Sequence, residues 1–180
     1  MYIEEENINL NGHNLLLRNA TEADAQMLID GLKTACGETR FLAKEPEEIT
    51  FTPEEECDFI KGLNSSENSI MLLGFLDGEY TGNCSLMGSG MLRNRHRVNL
   101  GIALLQKYTG MGIGRVMIEK LISVARESGI EQIELEVVAD NERAISLYRK
   151  MGFEILGTFP GNMKYKDGTY ADAYWMMKRL

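Results

Sequence analysis

The octapeptide Tyr108-Thr109-Gly110-Met111-Gly112-Ile113-Gly114-Arg115 joins a predicted strand to a strongly amphipathic predicted helix. Closely spaced glycines at this point let backbone N–H groups approach an anion, because the first N–H groups of a helix lack acceptors and the helix dipole is positive there. Arg115 adds a cation to the first turn, which is unfavourable unless an anion lies nearby. The segment therefore indicates a phosphate-binding turn, with a simple flexible turn as the alternative.

Two familiar nucleotide-binding motifs do not account for this segment. A Rossmann dinucleotide site requires G-x-G-x-x-G, but Arg115 and Met117 stand where the third glycine would fall in the two possible registers. A P-loop requires Gly-Lys followed by Ser or Thr, and no such tripeptide follows the glycines. The segment therefore predicts a phosphate-bearing ligand that is held by another kind of turn.

The sequence after the turn predicts two helices, a strand and a closing hairpin. Apolar residues at helical spacing predict the first helix over 112–128, and Gly129 ends it. Asp140 and Asn141 are suited to cap the second helix. The remaining predicted elements are a strand over 133–138, the capped helix as far as Gly152, and hairpin strands over 153–165 and 169–177.

The sequence before the turn predicts an opening strand, two helices and three more strands. Thr21 followed by Asp24, and Thr52 followed by Pro53 and an acidic turn, are signals of helix N-termini. The predicted elements are a strand over 14–18, helices from 21 to about 33 and from 52 to about 65, and strands over 69–76, 79–88 and 98–105. No linker or repeat divides the chain, so we expect a single domain over 1–180 of the α/β (α+β mixed sheet) class.

The composition is that of an ordinary globular protein. Its 180 residues include 19 basic and 27 acidic side chains, for a net charge of −8, and 44% of them are hydrophobic. No apolar run approaches the roughly 20 residues that cross a bilayer, and the acidic start MYIEEENINL does not resemble a signal peptide. We therefore expect a cytoplasmic protein without a membrane partner. The negative charge argues against nucleic-acid binding.

The cysteines are odd in number and widely spaced, at Cys36, Cys57 and Cys84, and the chain has two histidines. This pattern favours neither a disulfide framework nor a metal site. Cys84 has no adjacent histidine that would form a catalytic pair. We expect three packed or surface thiols and no metal.

Two segments together resemble the GNAT superfamily of acyl-CoA-dependent N-acetyltransferases. The first is Y-T-G-M-G-I-G-R at 108–115, and the second is I-E-L-E-V-V-A-D-N-E-R-A-I-S-L-Y-R-K-M-G-F at 133–153. In these core motifs the chain is similar to the ribosomal-protein alanine acetyltransferases, and the resemblance covers about 98–159. It implies a mixed sheet that is split into a V and flanked by helices.

The resemblance also implies a site for acetyl-CoA as the co-substrate. The turn over 109–115 would hold the pyrophosphate, and Ile102, Ala103 and Leu104 would bond the pantetheine through their backbone. Asn141 matches the residue that bonds the pantetheine arm. The family usually has Arg or Gln where Thr109 stands, so one side-chain contact is missing here while the backbone cradle is kept.

Tyr148 matches the general acid that the resemblance places near the sulfur. An amine that attacks a thioester expels a thiolate, and the parent thiol has a pKa of about 8.5, so a phenol within hydrogen-bond reach is able to protonate it. Asn141 and Tyr148 are seven residues apart, which places both on one side of a helix. The alternative for Tyr148 is an aromatic core residue.

A base or an ordered water must deprotonate the amine before it attacks. Glu136 is the first candidate, because it lies twelve residues before Tyr148, the spacing of the base in the ribosomal-protein alanine acetyltransferases that the chain resembles. Glu134 points to the same face of the strand, and either residue is otherwise a solvated carboxylate. Asn99 and His96 are further candidates for ordering a relay water.

We expect an N-acetyltransferase in which a primary amine attacks acetyl-CoA directly in a ternary complex, because no activated nucleophile is apparent. The alternative is a non-catalytic CoA-binding sensor or structural module. The acceptor would be a cationic small molecule or a peptide amine, and its specificity elements are expected over 21–66 and 161–174. Pairing of the terminal hairpin or of a strand edge would make a homodimer. The acidic residues that would attract such an acceptor, or form a solvated face, are Glu45, Glu47, Glu48, Glu54, Glu55 and Glu56.

Overall fold

The computed structural model describes all 180 residues and has one eight-stranded mixed sheet with four α-helices. The strands are β1 (Glu6–Leu10), β2 (His13–Asn19), β3 (Ile70–Leu76), β4 (Glu79–Gly88), β5 (Arg97–Leu104), β6 (Gln132–Val138), β7 (Glu154–Lys164) and β8 (Tyr170–Arg179). The helices are α1 (Ala25–Glu38), α2 (Pro53–Ser65), α3 (Ile113–Glu127) and α4 (Glu142–Lys150). The mixed α/β class is confirmed, and β1 is a strand that the sequence analysis does not predict.

The sheet is split between its two parallel strands. The strand order is β1-β2-β3-β4-β5-β6-β8-β7, and β5 pairs with β6 only over 97–99 and 132–134. Beyond these residues β5 stays with β4 as far as Leu104, while β6 stays with β8 as far as Val138. The sheet therefore opens toward the carboxyl ends of β5 and β6.

Each face of the sheet carries its own apolar core. Alternation along β3 separates the two cores, because Leu72 packs in the core that contains residues of α3 and α4 while Leu73 packs in the core under α1 and α2. The larger core includes Met117 of α3 and Tyr148 of α4. α3, which follows the predicted phosphate turn, and α4, which carries the predicted acid, therefore share one core.

Local signals fix the starts of the helices on the other face. At α2, Thr52 Oγ1 accepts a hydrogen bond from Glu55 N at 3.3 Å, and Glu55 Oε2 accepts one from Thr52 N at 2.8 Å, as in a capping box. Before α1, both carboxylate oxygens of Asp24 accept hydrogen bonds from Arg18 at 2.7 Å, which ties the helix to β2. None of the helices has the length and apolar character that a membrane crossing requires.

Candidate active site

The free arm of β5 presents its backbone to the split. From Leu100 to Leu104 this strand pairs with β4 on one side only, so half of its N–H and C=O groups face the gap that β6 leaves. The predicted residues Ile102, Ala103 and Leu104 lie in this segment and are partly buried. An extended chain can add to such a strand edge through backbone hydrogen bonds.

The turn after β5 presents a run of free donors. The six backbone N–H groups from Gly110 to Arg115 donate no hydrogen bond within the chain, and the next one, of Val116, bonds to Gly112 O at 3.2 Å as α3 begins. These donors meet the positive end of the α3 dipole. They have the arrangement expected of an anion-binding turn.

The glycines of this turn have two structural roles, one in backbone conformation and one in packing. Gly110 and Gly112 have φ angles of +86° and +92°, in the left-handed region that side chains disfavour. Gly114 instead allows α3 to pack closely on β5, because a Cβ there would lie 3.2 Å from Leu104 Cδ1 and 3.6 Å from Ile102 Cδ1. Ile113 is fully buried in the core, so only its backbone faces the turn.

The cation that reaches this turn is not the one that the sequence suggests. Arg115 Nε donates to Glu119 Oε1 at 2.9 Å, one turn further along α3. Arg143 of α4 reaches the loop instead, and its Nη1 donates to Thr109 Oγ1 at 3.1 Å. Arg143 is not among the site residues predicted from the sequence, because its contact joins residues 34 positions apart.

Asn141 caps α4 at the open end of the split. Its side-chain oxygen accepts a hydrogen bond from Ala144 N at 3.2 Å. This contact leaves the side-chain NH2 group free of partners within the chain. Two donors therefore remain for a ligand at the point where β6 gives way to α4.

Tyr148 of α4 lies in the larger core, with 7% of its surface exposed. Its ring packs edge-on against Phe153, with 5.8 Å between the ring centroids. No group of the chain hydrogen-bonds to its hydroxyl, which is not among the fully buried polar atoms that lack a partner. Burial raises the pKa of Tyr148 to about 12, so the phenol stays protonated at neutral pH and is able to act as an acid.

Cys84 lies on β4 on the same face of the sheet as Tyr148. Its side chain is fully buried, and its Sγ lies 3.9 Å from Met117 O. Burial raises the pKa of the Cys84 thiol above its ordinary value. The thiol is therefore neutral and unsuited to nucleophilic attack.

The two carboxylates of β6 have different surroundings. Glu134 is 4% exposed, and its Oε1 accepts hydrogen bonds from Arg97 Nη1 at 3.0 Å and Gln132 Nε2 at 2.6 Å. Glu136 is exposed, has no ion-pair partner, and lies beside Trp175 of β8 in the register. Of the two, Glu136 is the carboxylate that is exposed and unpaired.

Glu136 and Tyr148 lie on opposite faces of the sheet. Ile133, Leu135 and Val137 of β6 pack in the same core as Tyr148, so strand alternation turns Glu136 to the other face. Because the sheet is open between β5 and β6, a ligand that lies in the split is accessible from both faces.

The two candidates for ordering water differ in position. Asn99 is exposed on β5 and lies directly beside Glu134 in the parallel register. His96 lies one residue before β5, at the closed end of the split, where its backbone oxygen accepts a hydrogen bond from Glu131 N at 2.9 Å. The position of Asn99 favours it over His96.

The segment after α1 lies across the open end of the split. Glu38 Oε2 accepts a hydrogen bond from Gln106 N at 2.6 Å, just after β5. Arg40 Nη2 donates to Asp140 Oδ2 at 2.8 Å, just after β6. Residues 38–40 therefore connect the two arms of the V.

A cavity of about 880 Å³ lies between this segment and the β7–β8 hairpin. Its walls come from 36–48 and 162–166, within the two ranges where the specificity elements are expected. Lys166 joins the walls, because its Nζ contacts Glu45 Oε2 at 3.2 Å and also contacts Glu47. The hydrogen bond from Lys166 lowers the pKa of Glu47. Two of the glutamates expected to attract a cation are therefore already paired.

Comparison with known families accounts for this combination of a split sheet and a glycine turn. Residues 37–153 match the Acetyltransferase (GNAT) family. The chain belongs to the GNAT family. The resemblance inferred from the two sequence segments is therefore confirmed, and the matched region of this GNAT protein includes β5, the turn, β6 and α4.

A curated relative of this GNAT protein is the L-amino acid N-acetyltransferase of Escherichia coli. The two are 31% identical over 110 residues, which make up 59% of this chain and 66% of the relative. The chain spans between 20% and 51% of the length of four other curated relatives.

Solved structures of the family have the same fold. A GNAT acetyltransferase from Streptococcus pneumoniae is 34% identical with a TM-score of 0.89, and the match covers 92% of this chain and 99% of that one. A ribosomal-protein-alanine N-acetyltransferase from Brucella melitensis is 27% identical with a TM-score of 0.80, over 91% of this chain and 99% of that one. The similarity to the ribosomal-protein alanine acetyltransferases extends beyond the core motifs to the flanking elements.

Proposed function

We propose that this GNAT protein is an N-acetyltransferase that moves an acetyl group from acetyl-CoA to a primary amine by direct attack in a ternary complex. The observation that carries the proposal is the run of six free N–H groups from Gly110 to Arg115 at the end of a strand whose edge is also free. One end of this surface suits a diphosphate, and the other suits an extended amide chain. Coenzyme A combines these two parts.

The residues present fit the thioester arm of acetyl-CoA. The backbone of Ile102, Ala103 and Leu104 would pair with the pantetheine, and the free NH2 group of Asn141 would donate to one of its carbonyl oxygens. Thr109, Gly110, Met111, Gly112, Ile113, Gly114 and Arg115 would hold the diphosphate, chiefly through backbone N–H groups. When bound, acetyl-CoA supplies a thioester carbonyl carbon for attack and a thiolate as the leaving group.

The side chains at the split divide the proton transfers between its two faces. Glu136, or a water that Asn99 orders, takes a proton from the amine on the exposed face. The amine nitrogen forms a bond to the carbonyl carbon, and the carbon–sulfur bond breaks. Tyr148 gives its hydroxyl proton to the departing sulfur, and the second proton that the nitrogen loses passes through water to restore the phenol. Burial of Cys84 and the raised pKa of its thiol argue against an acyl group on this cysteine.

The acceptor is a primary amine on a small molecule or a peptide. The cavity between 36–48 and 162–166 provides its binding space, because it adjoins the segment that spans the open end of the split. The net charge of −8 favours a cationic acceptor. Glu45 and Glu47 add little to this attraction, since both are paired with Lys166.

The proposed activity is tested with acetyl-CoA and a panel of amines that includes amino acids, polyamines, aminoglycosides and peptides. We expect free thiol to appear with at least one amine, in equal amount to the acetylated product found by mass spectrometry. Coenzyme A binding in calorimetry without thiol release on any amine would contradict the activity and favour a CoA-binding module. Absence of coenzyme A binding would contradict both.

Glu136→Gln is expected to weaken the rise of activity with pH, because deprotonation of the amine would then depend on solvent water. At neutral pH the rate should fall roughly tenfold, since ordered water remains available as a base. The measurement is the pH profile of kcat/KM with an accepted amine, compared with that of the parent protein.

Glu134→Gln is the matched control for this substitution. Glu134 lies on the same face of the same strand, but it is buried and bonded to Arg97. Its substitution should lower thermal stability and leave the shape of the pH profile unchanged. A Glu136→Gln profile that overlays the parent profile would assign the base to water alone, and the acetyltransferase proposal would still stand.

A further inference from the structure

The loop that would hold the diphosphate lacks the Arg or Gln side chain that the family usually has at its first position. Thr109 stands there, and it contributes a hydroxyl without charge. Arg115 is the only cation within the turn itself, and it is paired with Glu119 at 2.9 Å. The turn therefore needs a cation from outside its own sequence if the ligand's negative charge is to be balanced.

The guanidinium of Arg143 lies over this loop. Its Nη1 donates to Thr109 Oγ1 at 3.1 Å, and Thr109 Oγ1 in turn donates to Gln106 O at 2.8 Å. Its Nη2 lies 2.8 Å from the position that a Cβ on Gly110 would occupy. The absence of a side chain at Gly110 is what allows the guanidinium to lie against the loop.

Arg143 has no acidic partner. The arginines that do have one include Arg18, Arg40, Arg97 and Arg115, and Arg143 makes no contact within 4.0 Å of a carboxylate. In a chain with 27 acidic and 19 basic side chains this is a charge without local compensation. It lies beside the six free N–H groups, so both features favour an anion at the same point.

We propose that Arg143 binds the diphosphate of coenzyme A and supplies, from α4, the side-chain contact missing at position 109. The inference rests on the proposed function, because it concerns the same cofactor. The hydrogen bond to Thr109 places the guanidinium over the loop and uses one of its five N–H donors. The remaining donors have no carboxylate partner and would bind the phosphate oxygens.

Calorimetric binding of three ligands tests this assignment: coenzyme A, dephospho-coenzyme A, which lacks the 3′-phosphate, and pantetheine, which lacks every phosphate. Arg143→Ala should weaken binding of the first two equally, by roughly tenfold to a hundredfold, which is typical of lost charge-assisted hydrogen bonds. Binding of pantetheine should not change. A loss confined to coenzyme A would place Arg143 at the 3′-phosphate and overturn the proposal.

Two control variants separate binding from structural support. Arg149→Ala removes the same charge from an exposed position on the same helix and should leave all three affinities unchanged. Thr109→Val removes the contact that places the guanidinium but keeps its charge, so it should weaken binding less than Arg143→Ala does. An equal loss for Thr109→Val would make Arg143 a brace of the loop and overturn the proposal.

A double variant tests whether the two positions are equivalent. Thr109→Arg added to Arg143→Ala restores a guanidinium at the loop from the position that the family uses, and it should recover most of the lost affinity. If the double variant keeps the parent melting temperature but does not recover coenzyme A affinity, Arg143 does not act in place of a side chain at position 109. If the parent protein binds coenzyme A and Arg143→Ala binds it equally well, this inference fails and the proposed function stands.

Discussion

Tyr148→Phe is expected to lower kcat by roughly 10² to 10⁴, the usual contribution of a general acid, or about 3 to 5 kcal/mol of activation free energy. The substitution removes one hydroxyl and keeps the ring that packs against Phe153. The hydroxyl has no hydrogen-bond partner in the chain, so its removal leaves no other group unsatisfied. Folding stability and coenzyme A affinity should therefore stay close to those of the parent.

The high pKa of Tyr148 predicts that the deficit of Tyr148→Phe does not change with pH near neutrality. Burial raises the pKa to about 12 and favours the neutral phenol, so the acid form is present throughout the neutral and mildly alkaline range. The deficit of Tyr148→Phe should therefore be constant over that range. A deficit that disappears below pH 9 would show that another group supplies the proton.

Tyr80→Phe is the matched control for Tyr148→Phe. Burial raises the pKa of Tyr80 to about 12 as well, but its hydroxyl accepts a hydrogen bond from Asn83 Nδ2 at 2.9 Å and its ring packs under α1 and α2. This substitution should reduce stability and leave kcat unchanged. If Tyr148→Phe turns over within about threefold of the parent at saturating acetyl-CoA, Tyr148 is not the general acid. A general acid contributes at least about a hundredfold to the rate.

Local signals account for much of the fold. The sequence Thr52-Pro53-Glu54-Glu55 contains a cap, a proline at the first helical position and the reciprocal glutamate, and α2 begins at Pro53. All of these interactions join residues within one turn. Short-range hydrogen bonds of this kind can be predicted from sequence because no distant contact decides them.

The missed strand β1 also had a local signal. Asn11-Gly12 joins β1 to β2 with φ angles of +54° and +91°, the conformation of a two-residue hairpin turn that favours this dipeptide. The acidic residues Glu4 to Glu6 obscure the alternation that precedes the turn. The Asn-Gly dipeptide therefore predicts this hairpin better than the pattern of apolar residues in β1 does.

The predicted end of α1 near Lys33 is wrong because tertiary packing overrides local propensity. The helix continues to Glu38, although Gly31 and Gly37 are poor helix formers. At Gly31 an added Cβ would lie 2.6 Å from the Tyr80 ring, so the glycine is explained by close packing on β4 and does not mark the end of the helix. Only the folded chain reveals that contact.

Long-range register gives the two carboxylates of β6 different surroundings, which strand alternation alone does not predict. Alternation places Glu134 and Glu136 on one face and gives no reason to prefer either. The three-residue pairing of β5 with β6 brings Arg97 to Glu134 and leaves Glu136 beyond the last pair. The contact between Arg143 and Thr109 depends on the packing of α4 in the same way.

Gly112→Val is expected to lower coenzyme A affinity by at least about a hundredfold, the effect of losing two or more hydrogen bonds to a charged group. Gly112 has a φ of +92°, where a β-branched side chain is strained. To relieve that strain the backbone must rotate, and the N–H groups beside it then no longer point to one anion. The strain also lowers the free energy of unfolding by about 1 to 3 kcal/mol.

The space around Gly112 shows that backbone strain, and not a clash within the free protein, causes this effect. A Cβ at Gly112 would meet only Leu10 Cδ1 at 3.6 Å, which is an ordinary contact. Asn tolerates the left-handed region better than Val does. Gly112→Asn should therefore lose less affinity and less stability than Gly112→Val, and calorimetry together with thermal unfolding measures both.

Gly129→Val provides the matched control at the other end of α3. Gly129 has a φ of +72° and no neighbour within 4 Å of an added Cβ, so the substitution imposes a similar strain away from the turn. It should lower stability and leave coenzyme A affinity unchanged, because the free N–H groups lie at the opposite end of the helix. If Gly112→Val bound coenzyme A as tightly as Gly129→Val does, the glycine turn would not be the anion site, and the diphosphate would have to be held elsewhere.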